Sequence, residues 1–265
     1  MEEVPSWVPS QIDWNQPSVA RIYDYALGGA HNFESDRRAQ SAALEVFPYL
    51  SDAARANRAF LHRALRFCLD QGIRQFLDLG SGIPTVGNVH EVVQEVDPES
   101  RVVYVDHDPV AVAHARSMLT ANPRVVILSE DIRAPHKILE HPDTLRLIDF
   151  QQPTALLMVG MLHYVNDAAA PQRLLRDYQA PMAPGSYLIA SHLTSDLPEM
   201  RAAAPFFDDS RNPMTLRSRT EIESLLADFD LIDPGVVYTV EWRPETPPGD
   251  HPERSACYAA VARPR

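Results

Sequence analysis

The sequence predicts an α/β fold, a doubly wound and mostly parallel sheet that follows a helical N-terminal segment. After Gly72, short apolar runs of strand length alternate with stretches in which apolar residues recur at helical spacing. Before Gly72, only helical spacing occurs. These observations divide the chain into an N-terminal helical lid, residues 1–70, and a sheet domain, residues 71–265.

The helical segment is predicted from the spacing of its apolar residues. The pattern is helical from Pro17 to Phe67, and between Ala53 and Leu69 apolar residues recur every three or four positions. Such spacing gives a long helix one apolar face. Gly72 is expected to end this helix, because glycine is favoured just past a helix end.

The sheet domain is predicted to contain seven strands. The fourth is apolar on both faces, as is typical of a central parallel strand, and the last two are joined only by a turn, which predicts an antiparallel edge. The predicted strands are Phe76–Leu79, Arg101–Val105, Val125–Leu128, Thr154–Leu162, Ser186–Ser191, Leu231–Val240 and Cys257–Ala262. The predicted helices between them are Val86–Val96, Pro109–Leu119, Pro171–Met182 and Thr220–Phe229, the last with Thr220 and Glu223 as its capping pair.

Composition and charge exclude several classes of function. The 265 residues carry a net charge of −12, which repels phosphate backbones and anionic lipid, so we expect neither nucleic acid nor a membrane as a partner. No apolar run reaches the roughly 18 residues of a membrane helix, and no export signal is visible. Cys68 and Cys257 are expected to be buried thiols, and the histidines form no cluster with metal-ligand spacing. These features predict a cytoplasmic protein without a metal.

A glycine loop follows the first predicted strand. The strand runs into Asp78-Leu79-Gly80-Ser81-Gly82. Gly80 allows a tight exit from the strand, and Gly82 lets the main chain touch a ligand without an intervening side chain. Because ligands of open parallel sheets bind at the carboxyl ends of the strands, the loop predicts a site for a nucleotide-like ligand.

Acidic residues follow the next two strands. Asp106 lies 106 − 82 = 24 residues after Gly82, close to the roughly 20 at which an acid reaches ribose hydroxyls in such folds. The alternative for Asp106 is a turn acid or a helix cap, although Asp108 is better placed as the cap. After the third strand, Asp131 is predicted to accept from an adenine amino group while Ile132 packs on the ring. The alternative for Asp131 is an acid of a surface turn.

Two other kinds of nucleotide site do not fit the loop. A dinucleotide fingerprint requires a third glycine three residues after Gly82, where Thr85 stands, and this disfavours a nicotinamide oxidoreductase. A phosphate-binding P-loop requires a lysine, and none follows Gly87.

The constellation resembles that of the class I S-adenosylmethionine-dependent methyltransferases, over roughly residues 71–263. A closer resemblance, through Pro17–Gly29, Asn57–Phe60, Tyr104–Pro109 and Pro184–Leu188, links the chain to a bacterial family of predicted methyltransferases with undetermined substrates. It implies a Rossmann-like sheet, S-adenosylmethionine as cofactor and methyl transfer to a small molecule. Together with the loop and the lid, the residues predicted to bind the cofactor are Tyr23, Arg58, Asp78, Gly80, Ser81, Gly82, Thr85, Asp106, His107, Asp131, Ile132, Val159 and Gly160.

The lid is predicted to cover the methionine end of the cofactor. Tyr23, Tyr25 and Phe33 lie around a Gly-Gly turn, and an aromatic face stabilises a nearby cation by roughly 0.5–2 kcal/mol. These aromatic residues fit the core of the lid equally well. Arg58 or Arg21 would bind the methionine carboxylate, unless each pairs within the helices.

The acceptor side is predicted beyond the fourth strand. His163 is the candidate general base, because imidazole titrates near neutral pH, and His192 is a weaker second candidate. The alternative for His163 is a structural role, and a base is needed only if the acceptor must lose a proton. The connection Leu197–Leu216 would suit an apolar or aromatic acceptor through Met200, Phe206, Phe207 and Met214.

Two classes of function therefore remain. The first is a methyltransferase that acts on a small molecule. The second is a regulatory or interaction protein that binds S-adenosylmethionine without turnover.

Overall fold

The computed structural model describes residues 13–84, 87–208 and 214–265. Its strands form one mixed sheet in the order β3-β2-β1-β4-β5-β8-β6, with β7 paired to β8. In chain order the strands are β1 (Gln75–Leu79), β2 (Arg101–Asp106), β3 (Val125–Ser129), β4 (Ala155–Val159), β5 (Tyr187–Leu193), β6 (Phe229–Leu231), β7 (Val237–Tyr238) and β8 (Cys257–Pro264).

The order in which the chain adds strands to the sheet reverses between β1 and β4. The chain runs outward from β1 through β2 to β3 and then returns to β4, which pairs with the other side of β1. Strands β1 to β5 are parallel to their neighbours, whereas β8 is antiparallel to β5. This switch point is where ligands bind in open α/β sheets.

Helices cover both faces of the sheet, so the prediction of a doubly wound α/β fold with an antiparallel edge is confirmed. One buried core joins the sheet to α3, α4 and α5, and the other joins it to α6, α7, α8 and α11. The helices are α1 (Val19–Ala26), α2 (Glu34–Val46), α3 (Leu50–Asp70), α4 (Val89–Val96), α5 (Pro109–Leu119), α6 (Pro135–Leu139), α7 (Pro142–Leu147), α8 (Pro171–Gln179), α9 (Pro198–Ala203), α10 (Pro205–Asp208) and α11 (Arg219–Leu225).

The predicted count of seven strands is wrong, because the segment Leu231–Val240 is not one strand. It contributes the end of β6 and the short β7, and Pro234 and Gly235 separate the two. Proline has no N–H to donate to a ladder, and Gly235 adopts φ +84°, so the chain turns there. Within the described residues, the sheet therefore has eight strands.

Several other boundaries also differ from the prediction, among them the end of β4 and the start of α11. β4 ends at Val159, and residues 162–164 form a 3₁₀ turn instead of continuing the strand. α11 begins at Arg219, one residue before the predicted start. Ser218 rather than Thr220 caps it, with Ser218 Oγ accepting from the N–H of Glu221 at 3.3 Å and Glu221 accepting from the N–H of Ser218 at 2.7 Å.

The N-terminal helices pack both on one another and on the sheet. Arg21 of α1 forms a buried ion pair with Asp36 of α2, with 2.8 Å between Nε and Oδ2. α3 buries Phe60 and Leu65 against the sheet core. The division at residue 70 remains a prediction. In the part of the chain that the structure describes, the helices lack the combination of length and apolar character that crossing a bilayer requires.

Candidate active site

A cavity of about 390 Å³ opens at the carboxyl ends of β1 to β4. The residues assigned to the cofactor from the sequence all line it, except Thr85, which lies outside the described residues. The structure thus brings the glycine loop, the two downstream acids, the lid residue Tyr23 and the candidate base His163 to one cavity.

The glycine loop bends sharply as it leaves β1. Gly80 adopts φ +83°, and a Cβ atom there would lie 2.1 Å from Sδ of Met161. The N–H of Gly80 donates to the carbonyl oxygen of Val105 at 2.8 Å, and the N–H of Gly82 donates to Oδ2 of Asp106 at 2.7 Å. The loop is therefore held against the end of β2.

Asp106 ends β2 and is 6% exposed. Its Oδ1 accepts from the N–H of Asp108 at 2.8 Å, and its Oδ2 accepts from Gly82. A carboxylate has about four lone-pair positions, so two remain for hydroxyl donors of a ligand. Burial raises the pKa of this carboxyl group. Asp108, and not Asp106, caps α5 by accepting from the N–H of Val110 at 2.8 Å.

Asp78 lies beside Asp106 on the cavity wall and is 8% exposed. Burial raises the pKa of Asp78 to about 7, with Arg58 opposing the rise and the charge of Asp106 adding to it. Near neutral pH, the carboxyl group of Asp78 is therefore poised between its neutral and charged forms. A cation in the cavity would favour the charged form.

Asp131 and Ile132 reach the cavity from the end of β3. Arg133 donates to both carboxylate oxygens of Asp131, at 2.9 Å from Nε to Oδ1 and 2.5 Å from Nη2 to Oδ2. These hydrogen bonds lower the pKa of Asp131, whose side chain is 40% exposed. Ile132 is buried and belongs to the sheet core. His107 is exposed at the rim of the same cavity.

The two candidate arginines differ in their surroundings. Arg21 is buried, and its Nε donates to Asp36, so its guanidinium already serves an ion pair between helices. Arg58 is half-buried on the cavity wall, where its charge acts on Asp78. Of the two, Arg58 has the surroundings that suit a ligand carboxylate.

Of the three lid aromatics, Tyr23 lies at the cavity and the other two do not. Tyr23 lines the cavity, and its hydroxyl group donates to the carbonyl oxygen of Ala54 at 3.2 Å. Tyr25 is 36% exposed. The ring of Phe33 lies under the guanidinium of Arg21, with 5.0 Å between Cζ of Arg21 and the ring centroid. Neither belongs to the described lining of the cavity.

His163 is 3% exposed at the cavity wall. Its Nδ1 accepts a long hydrogen bond of 3.4 Å from the N–H of Leu193. Burial holds the pKa of His163 well below its usual value, and His192 and Arg217 lower it further. The ring is therefore neutral at physiological pH and is a weak base.

His192 is held by Arg217, a residue that sequence reasoning missed. Nη1 of Arg217 donates to Nε2 of His192 at 2.9 Å, and burial lowers the pKa of His192 to about 3. Arg217 also donates to the carbonyl oxygen of Val165 at 2.9 Å and to Asp167 at 2.7 Å. Arg217 is 4% exposed. It thus fixes the segment after β4 to β5.

One wall of the cavity is apolar and comes from several elements. The N–H of Thr215 donates to the carbonyl oxygen of His163 at 2.7 Å, which brings the neighbouring Met214 to this wall. Burial raises the pKa of the Cys257 thiol to about 12 and that of the Tyr164 hydroxyl above its usual value, so both stay neutral. The residues of this wall that also pack together in one apolar cluster are Ile22, Leu50, Ala53, Leu193, Met200 and Met214.

The connection between β5 and α11 contributes two of its four predicted residues to the cavity. Met200 and Met214 line the cavity, whereas Phe206 is 38% exposed and outside the lining. The side chain of Phe207 lies outside the described residues.

The residues present fit a ligand that carries an adenosyl group and a positive charge. Oγ of Ser81 lies buried at the cavity wall without a hydrogen-bond partner among the described residues, and the acids Asp78 and Asp106 line the same cavity. Within the described ranges, no group of three His, Cys, Asp or Glu side chains is placed to hold a metal ion.

Residues 5–265 match the family model described as S-adenosyl methyltransferase. The chain belongs to this family. It is an S-adenosylmethionine-dependent methyltransferase, and S-adenosylmethionine is its cofactor. A search of the curated proteins finds no match to this methyltransferase.

Two solved structures are similar to the methyltransferase over nearly its whole length. A protein from Thermobifida fusca YX, described as a candidate methyltransferase, is 41% identical, with a TM-score of 0.93 over 98% of this chain and 100% of that chain. A DUF574 family protein from Streptomyces avermitilis MA-4680 is 36% identical, with a TM-score of 0.91 over 96% of this chain and 100% of that chain. The pyocyanin biosynthetic protein PhzM, at 20% identity and a TM-score of 0.51 over 82% of this chain and 57% of that chain, shares the fold alone.

Proposed function

We propose that this methyltransferase transfers the methyl group to a small, apolar acceptor molecule by in-line displacement. The proposal is supported by one observation. A single cavity extends from the glycine loop and its acids to a wall formed by uncharged side chains. Met200 is fully buried at that wall and Met214 half-buried. A charged acceptor would lose its hydration there without a partner of opposite charge.

The cofactor half of the cavity is proposed to work through its acids and its loop. Asp106 would accept from the two ribose hydroxyls with its remaining lone pairs, because Gly82 and the following turn already orient it. Ile132 would pack on the adenine ring. Asp131 would accept a hydrogen bond from the adenine amino group while it keeps its hydrogen bonds with Arg133.

The methionine half is proposed to lie between α3, the lid and the end of β4. Asp78 would attract the ammonium group, and Arg58 would bind the carboxylate. Tyr23 would cover the sulfonium on the lid side, with Val159 and Gly160 beneath it. The other proposed contacts are made by Gly80, Ser81 and His107.

Alignment is proposed to supply most of the catalysis. When bound, S-adenosylmethionine supplies a methyl carbon that leaves sulfur as the acceptor atom attacks from the opposite side, with the S–C electron pair remaining on sulfur. Holding two reactants in line contributes about 7–11 kcal/mol in well-oriented reactions. The apolar wall would orient the acceptor and exclude water from the transfer.

His163 remains the proposed catalytic side chain, with a restricted role. Because its pKa lies well below neutrality, it would remove a proton only from an acidic acceptor group. A neutral amine or aromatic nitrogen would need no proton removed before the transfer. Nucleic acid is a poor acceptor on this proposal, since the protein carries a net charge of −12.

The experiment compares neutral aromatic acceptors with their carboxylated counterparts. Quinoline, aniline and phenol are each paired with the corresponding carboxylic acid, and methylated product is measured by mass spectrometry with S-adenosylmethionine in excess. We expect product from neutral members and at least tenfold less from the acids. A preference for the acids, or no transfer to any neutral member, would contradict the proposal.

A matched pair of variants at Met214 tests the wall itself. Met214→Lys should shift the preference toward the carboxylated compounds, whereas Met214→Leu should keep the preference of the native protein. Calorimetric titration with S-adenosylhomocysteine checks that both variants retain cofactor binding. If Met214→Lys kept the preference of the native protein, the apolar wall would not be part of the acceptor site.

A further inference from the structure

A chain of hydrogen bonds runs from the end of β4 to the lid. The N–H of Gly160 donates to Oγ of Ser191 at 2.8 Å, and the Ser191 hydroxyl donates to Oδ1 of Asn57 at 2.6 Å. Nδ2 of Asn57 donates to the hydroxyl oxygen of Tyr23 at 3.2 Å, and that hydroxyl donates to the carbonyl oxygen of Ala54 at 3.2 Å. These five residues form what we call the Asn57 relay.

The two ends of the Asn57 relay fix the direction of every bond in it. A backbone N–H such as that of Gly160 only donates, and a carbonyl such as that of Ala54 only accepts. The hydroxyl protons between them, and the orientation of the Asn57 amide, follow from these ends. Reversing the amide would place a donor against the proton of Ser191, so one orientation alone satisfies both neighbours.

Asn57 is buried between the two surfaces that it joins. Asn57 is 4% exposed and Ser191 is 1% exposed, and leaving such groups unpaired is costly. A Cβ atom at Gly160 would lie 3.5 Å from Nδ2 of Asn57, so the amide packs directly on this glycine. The next residue of α3, Arg58, lines the same cavity.

We propose that Asn57 is a positioning residue for the methionine half of the cofactor. Through Tyr23 it holds the lid helix α1 against α3, and through Ser191 it holds the backbone at Gly160. The two surfaces that enclose the methionine half are thereby fixed relative to each other. This inference rests on the proposed placement of the cofactor.

The test uses two probes that differ only in the part of the cofactor that Asn57 is proposed to position. S-adenosylhomocysteine contains the methionine-derived half, whereas 5′-methylthioadenosine keeps the adenosyl group and the sulfur but lacks the amino acid group. Binding of both is measured by calorimetry in Asn57→Leu. We expect the affinity for S-adenosylhomocysteine to fall at least tenfold and that for 5′-methylthioadenosine to change less than threefold.

A double-mutant cycle tests whether the effect passes through Asn57. Tyr23→Phe and Ser191→Ala each remove one hydroxyl of the relay and are milder than the Asn57 change. Because the relay joins the two sites, their effects on S-adenosylhomocysteine binding should be non-additive by at least threefold. In the Asn57→Leu background the same two changes should be additive.

Each outcome separates the possibilities. Equal loss of affinity for both probes, or additive effects in the native background, would show a merely structural role and overturn the inference. If Asn57→Leu does not fold by circular dichroism, the two milder variants decide the question with the same probes. A native protein that binds neither probe would overturn the cofactor placement as well, whereas binding that depends on Asp106 but not on Asn57 would overturn this inference alone.

Discussion

The N–H of Gly82 donates a 2.7 Å hydrogen bond to Oδ2 of Asp106, so the acid that ends β2 holds the glycine loop that follows β1. The same carboxylate orients the turn that leads into α5 through the N–H of Asp108. One buried side chain therefore shapes both loops at the switch point of the sheet and keeps lone pairs for a ligand.

Replacing Asp106 with asparagine should weaken binding of S-adenosylhomocysteine. The amide keeps the size of the side chain but loses the charge, and a hydrogen bond to a charged group contributes about 1.5–3 kcal/mol, which corresponds to roughly 10- to 100-fold in affinity. Calorimetry gives the dissociation constant. Glu130→Gln is the matched control, because Glu130 follows β3 but is not among the lining residues. Equal affinities in Asp106→Asn and the native protein would falsify the ribose assignment.

Asp78 should make the stability of the cofactor-free protein depend on pH. Burial raises its pKa from 3.8 to about 7, so between these values the folded protein binds more protons than the unfolded chain. The free energy of unfolding should therefore fall as the pH rises through this window, by at most about 1.4 kcal/mol per pH unit, and level off above it. Urea unfolding at pH 5, 6, 7 and 8 measures this slope.

Asp78→Asn supplies the control for that slope, because the amide does not titrate. The variant should gain stability relative to the native protein as the pH rises from 5 to 7. Parallel pH profiles for the two proteins would mean that Asp78 ionises normally in its folded environment.

His163 and His192 should both remain neutral across the physiological range. Burial lowers both pKa values, that of His192 to about 3, and Arg217 opposes protonation of each. Ring chemical shifts measured by NMR should show no titration of either residue between pH 5 and 8, with the urea-unfolded chain as the reference that titrates near 6.5. A midpoint above pH 6 for His163 would restore it as an ordinary general base.

Arg217→Met should destabilise the protein by about 2–4 kcal/mol. The change leaves the buried carbonyl oxygen of Val165 and Nε2 of His192 without their donor, and each unpaired buried group costs about 1–3 kcal/mol. The carbonyl oxygen of Leu162 also loses Arg217 but still accepts from the N–H of Val165. Urea unfolding measures the loss.

Asp167→Asn is the matched control for that change. The Asp167 side chain is 84% exposed, so its part of the ion pair should contribute less than about 1 kcal/mol. If the two variants lost equal stability, the ion pair and not the buried carbonyl contacts would be the source of the effect.

The parts of the fold that follow from local chemistry could be predicted from the sequence. Asp108 followed by Pro109 predicts a cap and a first helical residue, and α5 has the predicted bounds Pro109–Leu119 with that cap. The neighbouring pairs Ser218/Glu221 and Thr220/Glu223 both have capping spacing. The prediction of Thr220/Glu223 as the capping pair is wrong, because the start of the helix also depends on Asp196, distant in sequence, whose Oδ2 accepts from the N–H of Arg219.

The site could be predicted in its cofactor half and only partly in its acceptor half. Asp106 and Gly82 can be recognised in the sequence because each follows one of two consecutive strands, and consecutive strands β1 and β2 are neighbours in the sheet. Asn57 and Arg217 carry no local signal, since their hydrogen bonds reach Ser191, 134 positions away, and Leu162, 55 positions away. The short helices α6 and α7 were also missed, because five or six residues are too few for a helical period.

The position of β8 has a consequence for how the protein is made. This strand pairs with β5 on one side and with β6 and β7 on the other, although it follows all of them in the chain. During synthesis on the ribosome, β5 keeps an open edge until residues 257–264 have emerged, and the thiol of Cys257 reaches the cavity wall only at that moment. A nascent chain stopped before residue 257 would expose β5 to pairing with other chains. The same eight residues of β8 therefore complete the active site and protect the sheet from aggregation.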